Sequence, residues 1–302
     1  MGEIRYDDRV AIVTGAGGGL GREHALFLAS RGAKVVVNDL GGSFKGEGAD
    51  QTPAQKVVDE IKAAGGQAVA NYDSVATIDG GKNIVRTALD EWGRVDIVIN
   101  NAGILRDVSF HKMSEADWDS IFAVHVKGAF CVTQAAWTHM KEAGYGRVVV
   151  TSSGAGLWGN FGQVNYGGAK LALVGMMNSM RVEGAKSNIK VNAIAPIAKS
   201  RMTETVMPPP MLAKFDPAII AKMVGYLVSE ECELSGSIIE GGGGFFTKVW
   251  LEQHPGTFID PAELTPETFR DKVLPVIDKP EEAKPVKDLQ AATMGIMKYI
   301  KF

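Results

Sequence analysis

The stretch VAIVTGAGGGLGREHALFLA, residues 10–29, reads as strand, glycine loop and helix in immediate succession. An apolar, β-branched run ends at Thr14, five glycines fall between positions 15 and 21, and an amphipathic helical pattern follows. The strict G-x-G-x-x-G pattern fails, because the third position after Gly17 is Leu20. What fits is T-G-x-x-x-G-x-G, carried by Thr14, Gly15, Gly19 and Gly21. Glycines there permit a tight turn and let backbone amides approach a pyrophosphate at the positive end of the next helix. Placed between a first strand and a helix, the loop (Gly15, Gly19, Leu20 and Gly21) is a dinucleotide-phosphate candidate rather than a plain turn.

The same alternation continues outward. Strands are expected at 10–15, 33–39, 67–73, 95–103, 146–153, 189–196 and 236–243, with helical patterns between them, including long helices over 115–143 and 165–186. Several strands are continuous apolar runs, as a sheet covered on both faces requires. The expectation is an α/β fold: a Rossmann-type, doubly wound parallel sheet of about seven strands with helices on both faces. This domain covers 1–245. From 246 to 302 the texture turns Pro-rich and charged, and is read as an extension packed on the core, mixed helix and loop. The three consecutive prolines in MPPPMLAKFDP (207–217) forbid helix and suggest a lid beside an active site.

Bulk properties narrow the function. In 302 residues the hydrophobic fraction is 45% and the formal net charge -3, with no basic block, so no nucleic-acid partner is expected. No apolar run approaches the roughly 20 residues of a membrane span. Two cysteines form no framework, and five histidines never pair at metal-ligand spacing, so no metal is expected. A soluble, cytoplasmic chain follows, with Cys131 a buried, inert thiol.

Two ends of a cofactor cleft can be assigned. Asp39 closes the second strand, where a carboxylate accepts ribose hydroxyls and repels a 2′-phosphate, which favours NAD over NADP. An N-D-L-G-G turn is the alternative reading of that residue. Asp73 and Ser74 close the third strand near the adenine position. Asn101, Ala102 and Gly103 close the fourth, where small side chains leave room for the adenosine ribose. At the other end, Tyr166 and Lys170 lie four apart and share a helix face. A free phenol has a pKa near 10, and a fixed ammonium lowers it toward the working range. Ser153 lies at a strand end, where its hydroxyl can orient a substrate oxygen.

Together, T-G-x-x-x-G-x-G, N-N-A-G, the serine and Y-x-x-x-K resemble the short-chain dehydrogenase/reductase family over about residues 6–245. The resemblance implies Tyr166 as catalytic acid/base, Ser153 polarising the reacting oxygen, and Lys170 lowering the tyrosine pKa and binding the nicotinamide ribose. It also implies Pro196 and Ile197 beside the nicotinamide. Most members carry an asparagine where this chain has His125. That asparagine kinks its helix and exposes a carbonyl holding a relay water, so His125 is a further candidate, as relay or structural residue.

Longer stretches resemble the (3R)-hydroxyacyl-CoA dehydrogenase branch found in peroxisomal multifunctional enzymes. They are VVVNDLGGSFKGEG, VANYDSV, NNAGILRDVSF, WGNFGQVNY, EGAKSNIKVNAIAP and SRMTETVMP. That branch implies NAD-dependent oxidation of (3R)-hydroxyacyl-CoA, with a 17β-hydroxysteroid dehydrogenase as the alternative. An NADPH-dependent 3-oxoacyl reductase and a non-catalytic NAD sensor are less favoured. It further implies a homodimer or homotetramer through the long helices, and a peroxisomal location if the chain belongs to a longer one.

Overall fold

Seven of the apolar runs become parallel strands. They are β1 (Val10–Thr14), β2 (Lys34–Asn38), β3 (Gln67–Asn71), β4 (Ile97–Asn100), β5 (Gly146–Thr151), β6 (Ile189–Pro196) and β7 (Ile238–Gly242). The central β1, β4 and β5 are buried along their whole length. All pair in parallel, with registers such as Val13 opposite both Val37 and Ile99. These details come from a computed structural model that describes residues 2–43, 45–198, 214–286 and 288–297. The expected lid at 207–217 lies outside the described residues up to position 213.

The sheet has eight strands in the order β3-β2-β1-β4-β5-β6-β7-β8, one more than the sequence suggests. The addition, β8 (Phe245–Val249), follows a two-residue Gly243–Gly244 link with φ of 59° and 91°. So short a link between neighbours only permits antiparallel pairing, and positive φ at both residues suits a tight hairpin turn. The aromatic, β-branched FFTKV run after two glycines is the signal for this strand.

Helices α1 (Gly19–Ser30), α2 (Thr52–Ala63), α3 (Ile78–Trp92), α4 (Glu115–Phe122), α5 (Gly128–Ala143), α6 (Gly154–Trp158), α7 (Val164–Gly184) and α8 (Pro217–Val228) complete the first unit. α1 packs on α2 and α8, and α3 packs on α5. The strand order reverses between β1 and β4, which opens a crevice at the carboxyl ends of the strands. The helix expected without interruption over 115–143 is broken by a π-helical segment, Ala123–Lys127, centred on His125. Such segments are rare and recur at functional sites.

The chain divides into two compact units, Met1–Lys248 and Val249–Phe302. The second contains an antiparallel pair, β9 (Glu252–Gln253) with β10 (Lys284–Pro285). It also has helical turns across Pro266–Ile277, a helix at Leu289–Met297 and a His254–Glu282 contact of 3.2 Å.

Candidate active site

The glycine loop is shaped by positions where a side chain has no room. Gly15 and Gly19 hold φ of 64° and 53°, in the left-handed region that glycine favours. A Cβ at Gly21 would lie 2.2 Å from the Gly15 carbonyl oxygen, so this glycine lets α1 start hard against the loop. Around Gly18 and Gly19, by contrast, the space is open. Gly18 caps α1 without a side-chain hydrogen bond, and no acidic residue occupies the first turn. The loop therefore offers free amides at the positive end of a helix, and its residues fit a dinucleotide pyrophosphate. Leu20 lies beside this opening, half-buried against the hydrophobic core.

The flanking candidates brace the loop. The two Asp39 carboxylate oxygens accept from the Gly17 amide at 2.8 Å and the Gly41 amide at 2.7 Å. Asp39 thus makes the N-D-L-G-G turn and holds the glycine loop as well. The Asn101 side chain donates to the carbonyls of Thr14 and Gly15 at 3.0 and 3.1 Å, while Thr14 Oγ1 accepts from the amides of Asn101 and Ala102. Gly103 is small for a specific reason: its Cβ would meet His125 Cε1 at 2.5 Å. The Asp73 carboxylate accepts from Asn71 and Asn83, and Ser74 Oγ accepts from the Ala76 amide. Pro196 ends β6, and the Ile197 amide donates to the Gly241 carbonyl on β7 at 2.8 Å.

At the other end the structure gathers Ser153, Tyr166, Lys170 and His125. Ser153 caps α6, its Oγ accepting from the Ala155 amide at 3.2 Å, which leaves its proton to face the phenol. Lys170 is 4% exposed on α7, donates to the Thr151 carbonyl at 2.6 Å, and holds Nζ 5.4 Å from the Tyr166 ring centre. His125 stands edge-on to the Tyr166 ring at 5.4 Å. Its Nε2 lies 3.1 Å from the Ile104 amide nitrogen and 2.9 Å from the Ile104 carbonyl oxygen.

Burial governs the ionisation here. It pushes Lys170 down to about 7 and Tyr166 up to about 12. Against that rise, the Ser153 hydroxyl draws the phenol down, while the Asp107 carboxylate adds to it. Desolvation is the largest influence on both groups, and the ammonium stays 5.4 Å from the phenol ring centre, held on the Thr151 carbonyl. Burial and Lys170 hold His125 well below the usual imidazole range, and its ring is neutral.

Sequence reasoning passed over four residues that build this end. Ser152 donates to the Lys170 carbonyl at 2.8 Å, and the Thr151 carbonyl receives the ammonium. Asn165, fully buried, donates to the carbonyls of Arg106 and Asp117, and Gln163 donates to Asp107 at 2.6 Å. Ser152 carries a signal in the doubled serine; Thr151 acts through its backbone, and Asn165 and Gln163 depend on pairings 48–59 residues apart, which no local pattern shows. Among the described residues no group of three His, Cys, Asp or Glu could hold a metal, and no helix is long and apolar enough to cross a membrane. Cys131 and Cys232 are both free and buried.

A glycine loop at a topological switch point, in one chain with a half-buried Ser153–Tyr166 pair and a buried Lys170, defines a dinucleotide-dependent oxidoreductase site. The chain belongs to the short chain dehydrogenase family, whose pattern matches residues 9–209. It is therefore an oxidoreductase acting on CH–OH groups of a small-molecule substrate with a nicotinamide cofactor. It is 54% identical to peroxisomal multifunctional enzyme A of Dictyostelium discoideum across 89% of this chain and 60% of that protein. Full-length peroxisomal multifunctional enzyme type 2 from Drosophila melanogaster superposes with a TM-score of 0.82 at 41% identity, covering 98% of this chain and 50% of that one. A 7α-hydroxysteroid dehydrogenase complexed with NADH and a 7-oxo bile acid superposes with a TM-score of 0.72 at 30% identity, covering 80% and 95%. The chain thus spans 60% and 50% of the length of these two multifunctional relatives.

Proposed function

We propose that the chain oxidises (3R)-hydroxyacyl-CoA to 3-oxoacyl-CoA with NAD. The observation that carries this is the convergence of Ser153, Tyr166 and Lys170, with the ammonium fixed on the Thr151 carbonyl. The similarity to multifunctional peroxisomal enzymes supports the acyl-CoA class, and the NADH complex of the bile-acid relative supports the cofactor.

Gly15, Gly19, Leu20 and Gly21 would hold the pyrophosphate, Asp39 the adenosine ribose, and Asp73, Ser74, Asn101, Ala102 and Gly103 the adenosine side. Lys170, Tyr166, Pro196 and Ile197 would flank the nicotinamide. When bound, NAD supplies the hydride acceptor. Ser153 orients the substrate hydroxyl and steadies the oxygen as its negative charge develops. Tyr166 accepts the hydroxyl proton as general base. With the phenol near 12, that base form grows with pH, so oxidation is expected to quicken into the alkaline range. His125 holds the Ile104 backbone against the tyrosine ring. Its side chain also lines, with Lys170, a cavity of about 10 Å³, close to what one relay water occupies.

A hydroxysteroid is the second reading, favoured by the bile-acid dehydrogenase likeness. NADH absorbance on (3R)- and (3S)-hydroxyacyl-CoA and on steroid alcohols, with NAD and NADP in parallel, decides between them. The expected result is turnover of the (3R) thioester with NAD, abolished by Tyr166→Phe. Equal use of NADP removes Asp39 from its role, and a steroid-only profile overturns the acyl-CoA reading. Exposed Phe130 on α5 and Leu171 and Val182 on α7 support a homodimer or homotetramer through these helices. The peroxisomal relatives point to that compartment over the cytoplasm.

A further inference from the structure

Three consecutive residues after β4 are fastened to the segment that leads into α7. The Arg106 carbonyl accepts from Asn165 Nδ2 at 3.1 Å, and Asp107 Oδ2 accepts from Gln163 Nε2 at 2.6 Å. The Val108 amide donates to the Gly162 carbonyl at 2.9 Å. The two segments run antiparallel, and the next residue on the second is Tyr166. Its amide donates to Asn165 Oδ1 at 2.7 Å, so the clasp ends on the residue immediately before the phenol and holds the start of α7.

The middle member is the only carboxylate in the clasp. Arg106, which could neutralise it, instead reaches Asp117 on α4 at 3.5 Å. Among the described residues the groups around the phenol are Lys170 on its own helix, neutral His125 on the π segment and the Ser153 hydroxyl at the start of α6, with Asp107 acting on it from the clasp. Asp107 is therefore the one negative charge among them.

We infer that Asp107, clasped to Gln163, is a positioning residue for Tyr166: it fixes the turn from which the phenol projects, and its charge biases that phenol toward the protonated form. This rests on the reading of Tyr166 as the base. The bias follows from like-charge repulsion, since ionising the phenol creates a second negative charge beside the first. It agrees with the direction of Asp107's effect on the phenol. Desolvation also raises the Asp107 carboxyl itself, partly offset by the Gln163 hydrogen bond.

The test is the pH profile of kcat/KM for alcohol oxidation, together with an ultraviolet titration of the phenolate as wild type minus Tyr166→Phe. Asp107→Asn keeps an oxygen for Gln163 and removes the charge. Its acid limb, and the phenolate titration, are expected to move to lower pH by about half a unit or more. Gln163→Leu severs the clasp and leaves the carboxylate, so it should lower kcat several-fold without that downward shift. Coincident profiles for Asp107→Asn and wild type, with Tyr166→Phe inactive, overturn the inference alone. Turnover persisting in Tyr166→Phe overturns the base reading and the inference with it.

Discussion

Between β1 and α1 the cleft is made of backbone, and between β5 and α7 it is made of side chains. In the first region the functional surface is a row of amides, and the defining fact is where a Cβ cannot go: 2.2 Å from a carbonyl at Gly21, and 2.8 Å from the Ala102 Cα at Gly15. In the second the defining facts are two buried titratable groups, one displaced down to about 7 and the other up to about 12. A backbone surface is insensitive to pH and intolerant of added atoms. A buried ionisable surface tolerates isosteric change structurally and loses its chemistry with it.

The sharpest way to break that contrast is Lys170→Met. The substitution keeps the length of the side chain and removes the charge, so turnover should fall by about 10²–10³-fold, on the scale of a lost acid–base partner. Stability near neutrality should rise, because the desolvation of the buried cation is removed, offset in part by the Thr151 carbonyl losing its donor. The pH slope carries the sign. The folded-state pKa lies below the ordinary 10.5, so between about 7 and 10.5 the unfolded chain binds a proton that the folded chain refuses. Wild-type stability should therefore climb with pH across that window, and urea titrations of Lys170→Met should lose the climb. A variant that keeps full turnover removes Lys170 from the site's chemistry.

At the backbone end the matching experiment adds one methyl group. Gly21→Ala drives a Cβ into the Gly15 carbonyl and to within 2.6 Å of Asn101 Nδ2, so the loop, its Asn101 brace and α1 cannot all stay in place. A loss of about 1–3 kcal/mol is expected, the scale of overpacking, read as a lower thermal midpoint. Gly18→Ala is the control: nothing lies within 4 Å of the added atom and its extended φ of -171° suits any residue, so its midpoint should stay close to wild type. If the two variants melt alike, steric exclusion is not what shapes the loop.

The same division decides what could be read in advance. The sheet, its helices and the glycine loop are local patterns, and β1 through β7 lie within a few residues of the expected positions. β8 is harder to read because FFTKV lies at the edge of a compositional change, which obscures the hairpin signal of the two glycines before it. The interruption at His125 is invisible as periodicity: VHVKGAF continues a helical pattern, and only the Ile104 backbone 21 residues away shows what holds the ring. Ser153, Tyr166 and Lys170 were legible as identities, but their ionisation was not. Spacing puts an ammonium on the phenol's helix face, and whether it stays charged depends on desolvation, a property of the folded interior. Asp107 and Gln163 belong to this second kind as well.

His24 tests whether burial of an ionisable group also matters where the cleft is built from backbone. It lies on α1, 1% exposed, and neither ring nitrogen has a hydrogen-bond partner among the described residues. Burial pushes its pKa from 6.5 down to about 3. Between those values the unfolded chain takes up a proton that the folded chain does not, so stability should fall as pH drops through the window, by up to about 1.4 kcal/mol per pH unit. Unlike Lys170 it offers no group to the chemical end, so His24→Leu should flatten that acid limb while leaving the shape of the turnover profile above pH 7 to Tyr166 and Lys170. Urea midpoints at pH 7.5 and 5 give the comparison, with about 1–2 kcal/mol of the wild-type acid loss expected to vanish in the variant. An unchanged acid slope would mean that carboxylates elsewhere set the response, and that α1 is as indifferent to pH as the amides it presents.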